Sequence, residues 1–197
     1  MYYVLTPGTT ADGDMIGLTH KKDFPERDYF SGSAFVDSES AKPWDRPPAE
    51  PLQLIIKKGR ETAPLPSFLR QPVPLMSRQL YDTLRAAGVE NVDVYRAELR
   101  FLDGRLASDE YFVFNLLGAV KGVDLAKSTY DAGQPSTLLS MGFDSLTIDP
   151  AAARDLLMFR LAENITTIIV HERIKKAIEA ARIPLINVDP TTDVALL

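Results

Sequence analysis

The sequence has no cysteine and only two histidines, His20 and His171. The first absence excludes a disulfide framework, a thiolate nucleophile and a zinc–thiolate site. The second leaves little material for a histidine base or a histidine-ligated metal. No stretch approaches the ~18 apolar residues of a membrane-spanning helix. Basic residues are not in excess either: 22 Lys and Arg stand against 27 Asp and Glu, for a net charge of −5. Divided at residue 75, the chain has 9 basic and 10 acidic residues before it, then 13 basic and 17 acidic after it. Both parts lean acidic, so neither nucleic acid nor an anionic membrane is an expected partner. An acidic surface suits a basic protein partner, and equally suits plain solubility. The segment Met1 to Pro7 has no basic n-region and breaks at Pro7, so it does not read as a secretory signal. The expected location is cytoplasmic.

What is present is ordinary globular material. Of 197 residues, 45% are hydrophobic and 25% charged. A chain of this length buries roughly 70% of its unfolded surface and needs no covalent staple. A single domain over residues 1–197 is expected, with a loop- and proline-rich part at 1–73 and a better-patterned part at 74–190. Eight of the fourteen prolines lie between Pro43 and Pro74. Proline fixes φ and donates no hydrogen bond, so helices do not run through that window. Within it, Leu52 to Lys57 is a short apolar run that reads as a buried strand. Tyr2 to Thr6 reads as a strand, and residues 8–40 read mostly as loop.

The second half carries clearer periods. Ser77 is placed to cap a helix from Arg78 to Ala87, with Leu80, Leu84 and Ala87 as its apolar stripe and Gly88 just past its end. From Asn91 to Leu102 the pattern alternates: Asp93, Tyr95, Ala97, Leu99 and Phe101 share one parity, Arg96, Glu98 and Arg100 the other. Asp103-Gly104 signals a turn, and Tyr111 to Leu117 reads as a central strand, so the two strands form an antiparallel hairpin with a longish tip. Thr137 to Ile148 adds strand. Asp149-Pro150 suits a helical start. Leu156 to Leu161 fits strand or helix. The β-branched run Ile165 to Val170 reads as strand. After His171 the period becomes 3.6, with Ile174, Ala177, Ile178 and Ala181 on one stripe, and Pro184 ends that helix. A last strand covers Leu185 to Val188. The fold class expected is α+β, an antiparallel-dominated sheet with two or more packed amphipathic helices.

Catalytic patterns do not assemble. His171-Glu172 begins like an HExxH helix, but Lys175 stands where the second histidine belongs. A histidine capping the helix explains it, and His20 reads as a solvated loop residue. Gly32-Ser33 and Ser140-Met141-Gly142 lack the nucleophile elbow. Lys58-Gly59-Arg60 and Val120 to Val123 are not phosphate loops. Asp103, Asp109 and Glu110 gather at the expected hairpin tip, where solvation works against a raised carboxyl pKa. Aromatics mix with charges in Asp23 to Phe30, and Trp44 sits among prolines. Such mixtures suit a protein-binding surface, and they also serve to pin loops onto a core. The expected partner-binding residues are Tyr29, Phe30, Trp44, Asp103, Asp109 and Glu110. No catalytic residue, cofactor or metal is expected.

Three segments carry a family likeness. They are Pro74 to Ser77 with the helix ending at Gly88; Tyr111 to Leu116 with Val123-Asp124 and Ser128; and Phe159 to Leu161, Thr167 to Val170 and the last helix. Together they resemble the bacterial polymorphic-toxin immunity proteins, specifically the eleventh immunity family, formerly a domain of unknown function. The likeness spans residues 74 to about 188, and at the last helix His171 replaces a small polar cap. It implies a cytoplasmic, non-enzymatic protein that binds a cognate toxin and blocks it, and the acidic charge of the chain suits a toxin with a basic active-site surface. Asn115, Asp124 and Ser128 then read as side chains that pin loops beside a central strand. Two other readings stay open: a structural or adaptor module, and an enzyme using carboxylates alone.

Overall fold

A computed structural model describes residues 1–9, 17–20, 24, 29–36, 38, 40–42, 45–58, 64–130 and 141–193. In chain order the elements are β1 (Tyr2–Pro7), β2 (Gly17–His20), β3 (Leu52–Lys58), β4 (Phe68–Leu69), β5 (Leu75–Ser77), α1 (Arg78–Ala86), β6 (Val92–Arg100), β7 (Leu106–Leu116), β8 (Ala119–Val120), β9 (Thr129–Tyr130), β10 (Phe143–Ser145), α2 (Pro150–Ala153), β11 (Met158–Leu161), β12 (Ile168–His171), α3 (Glu172–Ala180) and β13 (Ile186–Pro190).

The strands form a five-stranded sheet ordered β13-β1-β12-β11-β8, a six-stranded sheet ordered β2-β3-β6-β7-β5-β4, and a β9–β10 ribbon. Among the described residues, eight of the ten strand pairings are antiparallel. The other two, β8 with β11 and β3 with β6, are parallel and were not foreseen. Among the described residues the fold is sheet-rich with three helices. The strand β2 falls where loop was expected. Of its four residues only Leu18 is buried, so its pairing with β3, not its own pattern, makes it a strand.

The alternation of side chains along the strands sorts the described interior residues into three apolar clusters. Between the sheets lie Tyr3, Leu5, Met158, Ile168 and Val170 of one, and Met76, Phe112, Phe114 and Leu116 of the other. Both long helices bury into this cluster, α1 through Leu80 and Leu84, α3 through Ile174 and Ile178. The outer face of the six-stranded sheet buries Leu52, Leu54, Ile56, Leu75, Ala97, Leu99, Tyr111 and Val113. The outer face of the five-stranded sheet buries Val4, Phe159, Leu161 and Ile169 against Phe143, Leu146, Ile148 and Ala153. Each sheet is therefore apolar on both faces. That explains why residues 156–161 showed no period: β11 has all four side chains buried.

Local chemistry sets the helix ends. Ser77 Oγ accepts from Leu80 N at 3.2 Å. At the other end Gly88 takes φ +101, and Val89 N–H donates to Leu84 O while Gly88 N–H donates to Arg85 O. These two bonds satisfy carbonyls the helix leaves open. Asp149 caps α2, with Pro150 at its first position. His171 caps α3, its Nδ1 accepting from Arg173 N at 3.2 Å. Of the segment 137–148, residues 137–140 lie outside the described residues, and Phe143–Ser145 is strand.

Candidate functional site

Two exposed features stand at the six-stranded sheet. The first is a strap, residues 29–35, that crosses its outer face. Three donors hold its carbonyls: Arg160 Nη2 to Tyr29 O at 3.2 Å, Gly118 N to Gly32 O at 2.8 Å, and Asn115 Nδ2 to Ser33 O at 2.7 Å. Gly32 adopts φ +76, and a Cβ there would come within 2.9 Å of the Gly118 backbone. Only glycine allows this approach. Phe35 meets the Tyr29 ring edge-on, centroids 5.4 Å apart, and lies 5.7 Å from Tyr95.

Arg160 is the strap's deepest anchor. It sits on β11 and is 1% exposed. Burying a guanidinium is tolerable only when its donors are used. Nη1 donates to Ile165 O, Nη2 reaches Tyr29 O, and the cation lies 5.6 Å from the Phe30 ring centroid. Here the expectation for Tyr29 is corrected. Its side chain is 1% exposed and lies within the outer-face cluster, so it fills core and is not offered to a partner. Phe30 is half-buried beside Arg160. Trp44, Asp23 and residues 25–28 lie outside the described residues.

The second feature is the β6–β7 hairpin. Its turn is tighter than expected, because β7 begins at Leu106. Phe101 N donates to Arg105 O and Gly104 N to Phe101 O, both at 2.9 Å, with Gly104 at φ +88. Asp103 is exposed at this tip, but Asp109 and Glu110 belong to the strand. The register there slips: Ala97 faces Tyr111 and Leu99 faces Ser108, so two steps on β6 match three on β7. The extra residue is a β-bulge, which twists a strand and re-aims its side chains. It falls at Asp109–Glu110, both exposed. A second slip lies between Leu99 and Arg100.

The acids on this arm are mostly engaged internally. Asp103 accepts from Arg105 Nε at 2.7 Å and from Arg105 N at 3.0 Å. The Arg105 side chain holds the Asp103 carboxyl below the ordinary carboxylate range. Glu110 pairs with Arg78, which also lies over the Phe112 ring. Glu98 pairs with Arg100 at 2.7 Å. Asp103, Asp109 and Glu110 thus share one arm, while Phe30 belongs to the strap. Two exposed residues of the arm were missed in the sequence, Leu102 and Leu106, at 74% and 48% exposure. The available signal was a leucine on each side of Asp103-Gly104-Arg105.

The other polar residues have structural partners. Ser128 Oγ donates to Asp124 O and accepts from Thr147 N, and Lys127 pairs with Asp124 at 2.8 Å. His20 is exposed and stacks on Phe24, centroids 4.7 Å apart. Among the described residues, no group of three His, Asp or Glu is placed to hold a metal ion. Nor is any helix among them long and apolar enough to cross a membrane.

No curated protein matches the chain. A family model does: residues 5–190 match the Immunity protein family (Imm11). The match takes in the end of β1, the strap and β2 to β4, beyond the segments that carried the likeness above, and on it the chain belongs to the Imm11 family of immunity proteins.

Proposed function

We propose that the protein is a stoichiometric neutraliser, which binds a cognate toxin in the cytoplasm of the producing cell and blocks it without catalysis. The observation that carries this reading is the family match over residues 5–190. The frame is a single α+β unit in which α1 and α3 are amphipathic helices packed on the sheets, leaving the β6–β7 arm and the strap to meet the partner. Exposed Asp103, Asp109 and Glu110, with Phe30, are its partner-facing candidates. The net charge of −5 supports a toxin whose active-site surface is basic. Charges at the rim of such a contact act chiefly on the association rate, so association slows as salt rises.

Co-expression with the product of the adjacent toxin gene, in a sensitive cell, tests the reading. The expected result is rescue, weakened by Asp109→Lys with Glu110→Lys in a chain that still folds. No rescue and no complex, together with turnover of a substrate by the purified chain, would overturn it. Rescue indifferent to both substitutions would move the contact away from these acids and leave neutralisation standing.

A further inference from the structure

We propose that the tip of the β6–β7 hairpin is an apolar anchor that inserts Leu102 and Leu106 into an apolar cleft of the cognate toxin. The inference deepens the immunity reading and rests on it.

Leu102 and Leu106 are 74% and 48% exposed. Among the described residues the other exposed large apolar side chains, Met1, Val36, Leu125 and Leu156, stand apart in sequence and singly, which is normal for a protein surface. Two leucines flanking one three-residue turn are a different matter, because the turn is braced. Its backbone is closed by the Phe101–Arg105 and Gly104–Phe101 bonds. Arg100 Nη1 donates to Gly104 O at 2.9 Å. Arg105 is bonded to Asp103 and lies 5.0 Å from the Phe101 ring centroid. Phe101 in turn packs against the outer-face cluster, so the tip is tied to the core. A rigid tip loses little conformational freedom on binding, which is how preorganised loops gain affinity.

The same bonds decide the partner's chemistry. Asp103 is neutralised by Arg105 and Arg100 by Glu98, so the tip presents apolar surface with its charges already compensated. A partner meets it best with an apolar cleft, not with a charged groove. Exposed Asp109, farther down the arm, steers the approach, while Glu110 is compensated by Arg78; the leucines hold what arrives. The two roles separate kinetically. Steering acts on the association rate, and desolvated apolar anchors act on the dissociation rate. Toxin is favoured over lipid as the occupant. The leucines have an Asp and an Arg between them, whose transfer into hydrocarbon is costly, and the family is one of immunity proteins.

The experiment is binding kinetics of the full-length chain on the purified toxin domain encoded by the adjacent gene. Leu102→Ser with Leu106→Ser is compared with Leu125→Ser and Leu156→Ser as the same change elsewhere. The tip variant is expected to dissociate on the order of a hundredfold faster, with its association rate altered by less than about threefold. Salt lowers the association rate and leaves the dissociation rate nearly unchanged. Thermal melts keep the comparison sound; if the double variant does not fold, Leu102→Ser alone should dissociate about tenfold faster. An unchanged dissociation rate with rescue intact overturns the anchor and leaves neutralisation standing. A wild-type chain that neither binds nor rescues removes both. Toxin binding intact while the tip variant loses self-association, or loses binding to phosphatidylglycerol vesicles, overturns the anchor in favour of a second copy or a lipid surface.

Discussion

Replacing Gly32 with alanine tests whether the strap is held by close backbone contact. Two penalties combine. An L-residue at φ +76 bears left-handed strain of about 1–2 kcal/mol. The new Cβ would lie within 2.9 Å of the Gly118 carbonyl carbon and oxygen, so strap and turn must separate. Separation lengthens the Gly118 N to Gly32 O bond and draws Ser33 O away from Asn115 Nδ2. Asn115 is fully buried, and an amide donor left without an acceptor there costs about 1–3 kcal/mol. Together these give about 2–5 kcal/mol. Gly104→Ala supplies the comparison: φ is +88 but nothing lies within 4 Å, so strain alone applies, about 1–2 kcal/mol. The strap can also lift locally without unfolding the sheets, which caps the shift in a urea melt. Hydrogen exchange at the Gly118 amide reads the lifting directly. It should accelerate on the order of 30-fold or more in Gly32→Ala and hardly at all in Gly104→Ala. Equal behaviour of the two variants would refute the argument.

Two further outcomes follow from the caps and the phenols. His171→Ser should leave stability within about 1 kcal/mol, because serine caps a helix well, and should leave toxin binding unchanged; loss of binding by a chain of normal melting temperature would give His171 a functional role. Burial raises the Tyr111 phenol, whose OH donates to Pro66 O at 3.0 Å. Burial, with Asp93 and Glu50 nearby, raises Tyr95 to about 12. The folded chain holds these protons more tightly than the unfolded one, in which tyrosine titrates near ~10. Stability is therefore full below about pH 10 and falls as pH rises toward about 12. Urea midpoints across that range should decline, less steeply in Tyr95→Phe, and a flat profile would contradict the assignment.

The helices were legible in the sequence because their signals are local. Ser77, the stripe Leu80, Leu84 and Ala87, and Gly88 lie within twelve residues, and cap, stripe and C-terminal glycine act as read. His171 did the same at the start of α3, whose end falls at Ala180, with Arg182 in the left-handed region at φ 51, ahead of Pro184. The hairpin was legible too, since alternation on β6 and Asp103-Gly104 need only neighbouring residues to act. Its bulges were not. An extra residue on β7 shows only against a partner strand, and it moved Asp109 and Glu110 from an imagined loop onto a twisted strand. The family likeness rested on fold segments of the second half, while the match reaches residue 5, where the pattern is loop-rich and less telling.

By itself the sequence determined the two long helices with their N-caps and the hairpin with its Asp-Gly turn, and that the chain has no cysteine and only two histidines. These follow from backbone sterics, capping and residue inventory, which operate over a few residues. Only the tertiary structure decided that Tyr29 is core, that Arg160 is buried beneath Phe30, and that Leu102 and Leu106 stand out in solvent. Arg160 and Tyr29 are 131 positions apart, and nothing along the chain links a guanidinium to a carbonyl at that distance. The same holds for the parallel pairing of β3 with β6, which closes a sheet across residues that share no local pattern. Burial is a property of what lies opposite a side chain, and the chain reveals that only when it has folded.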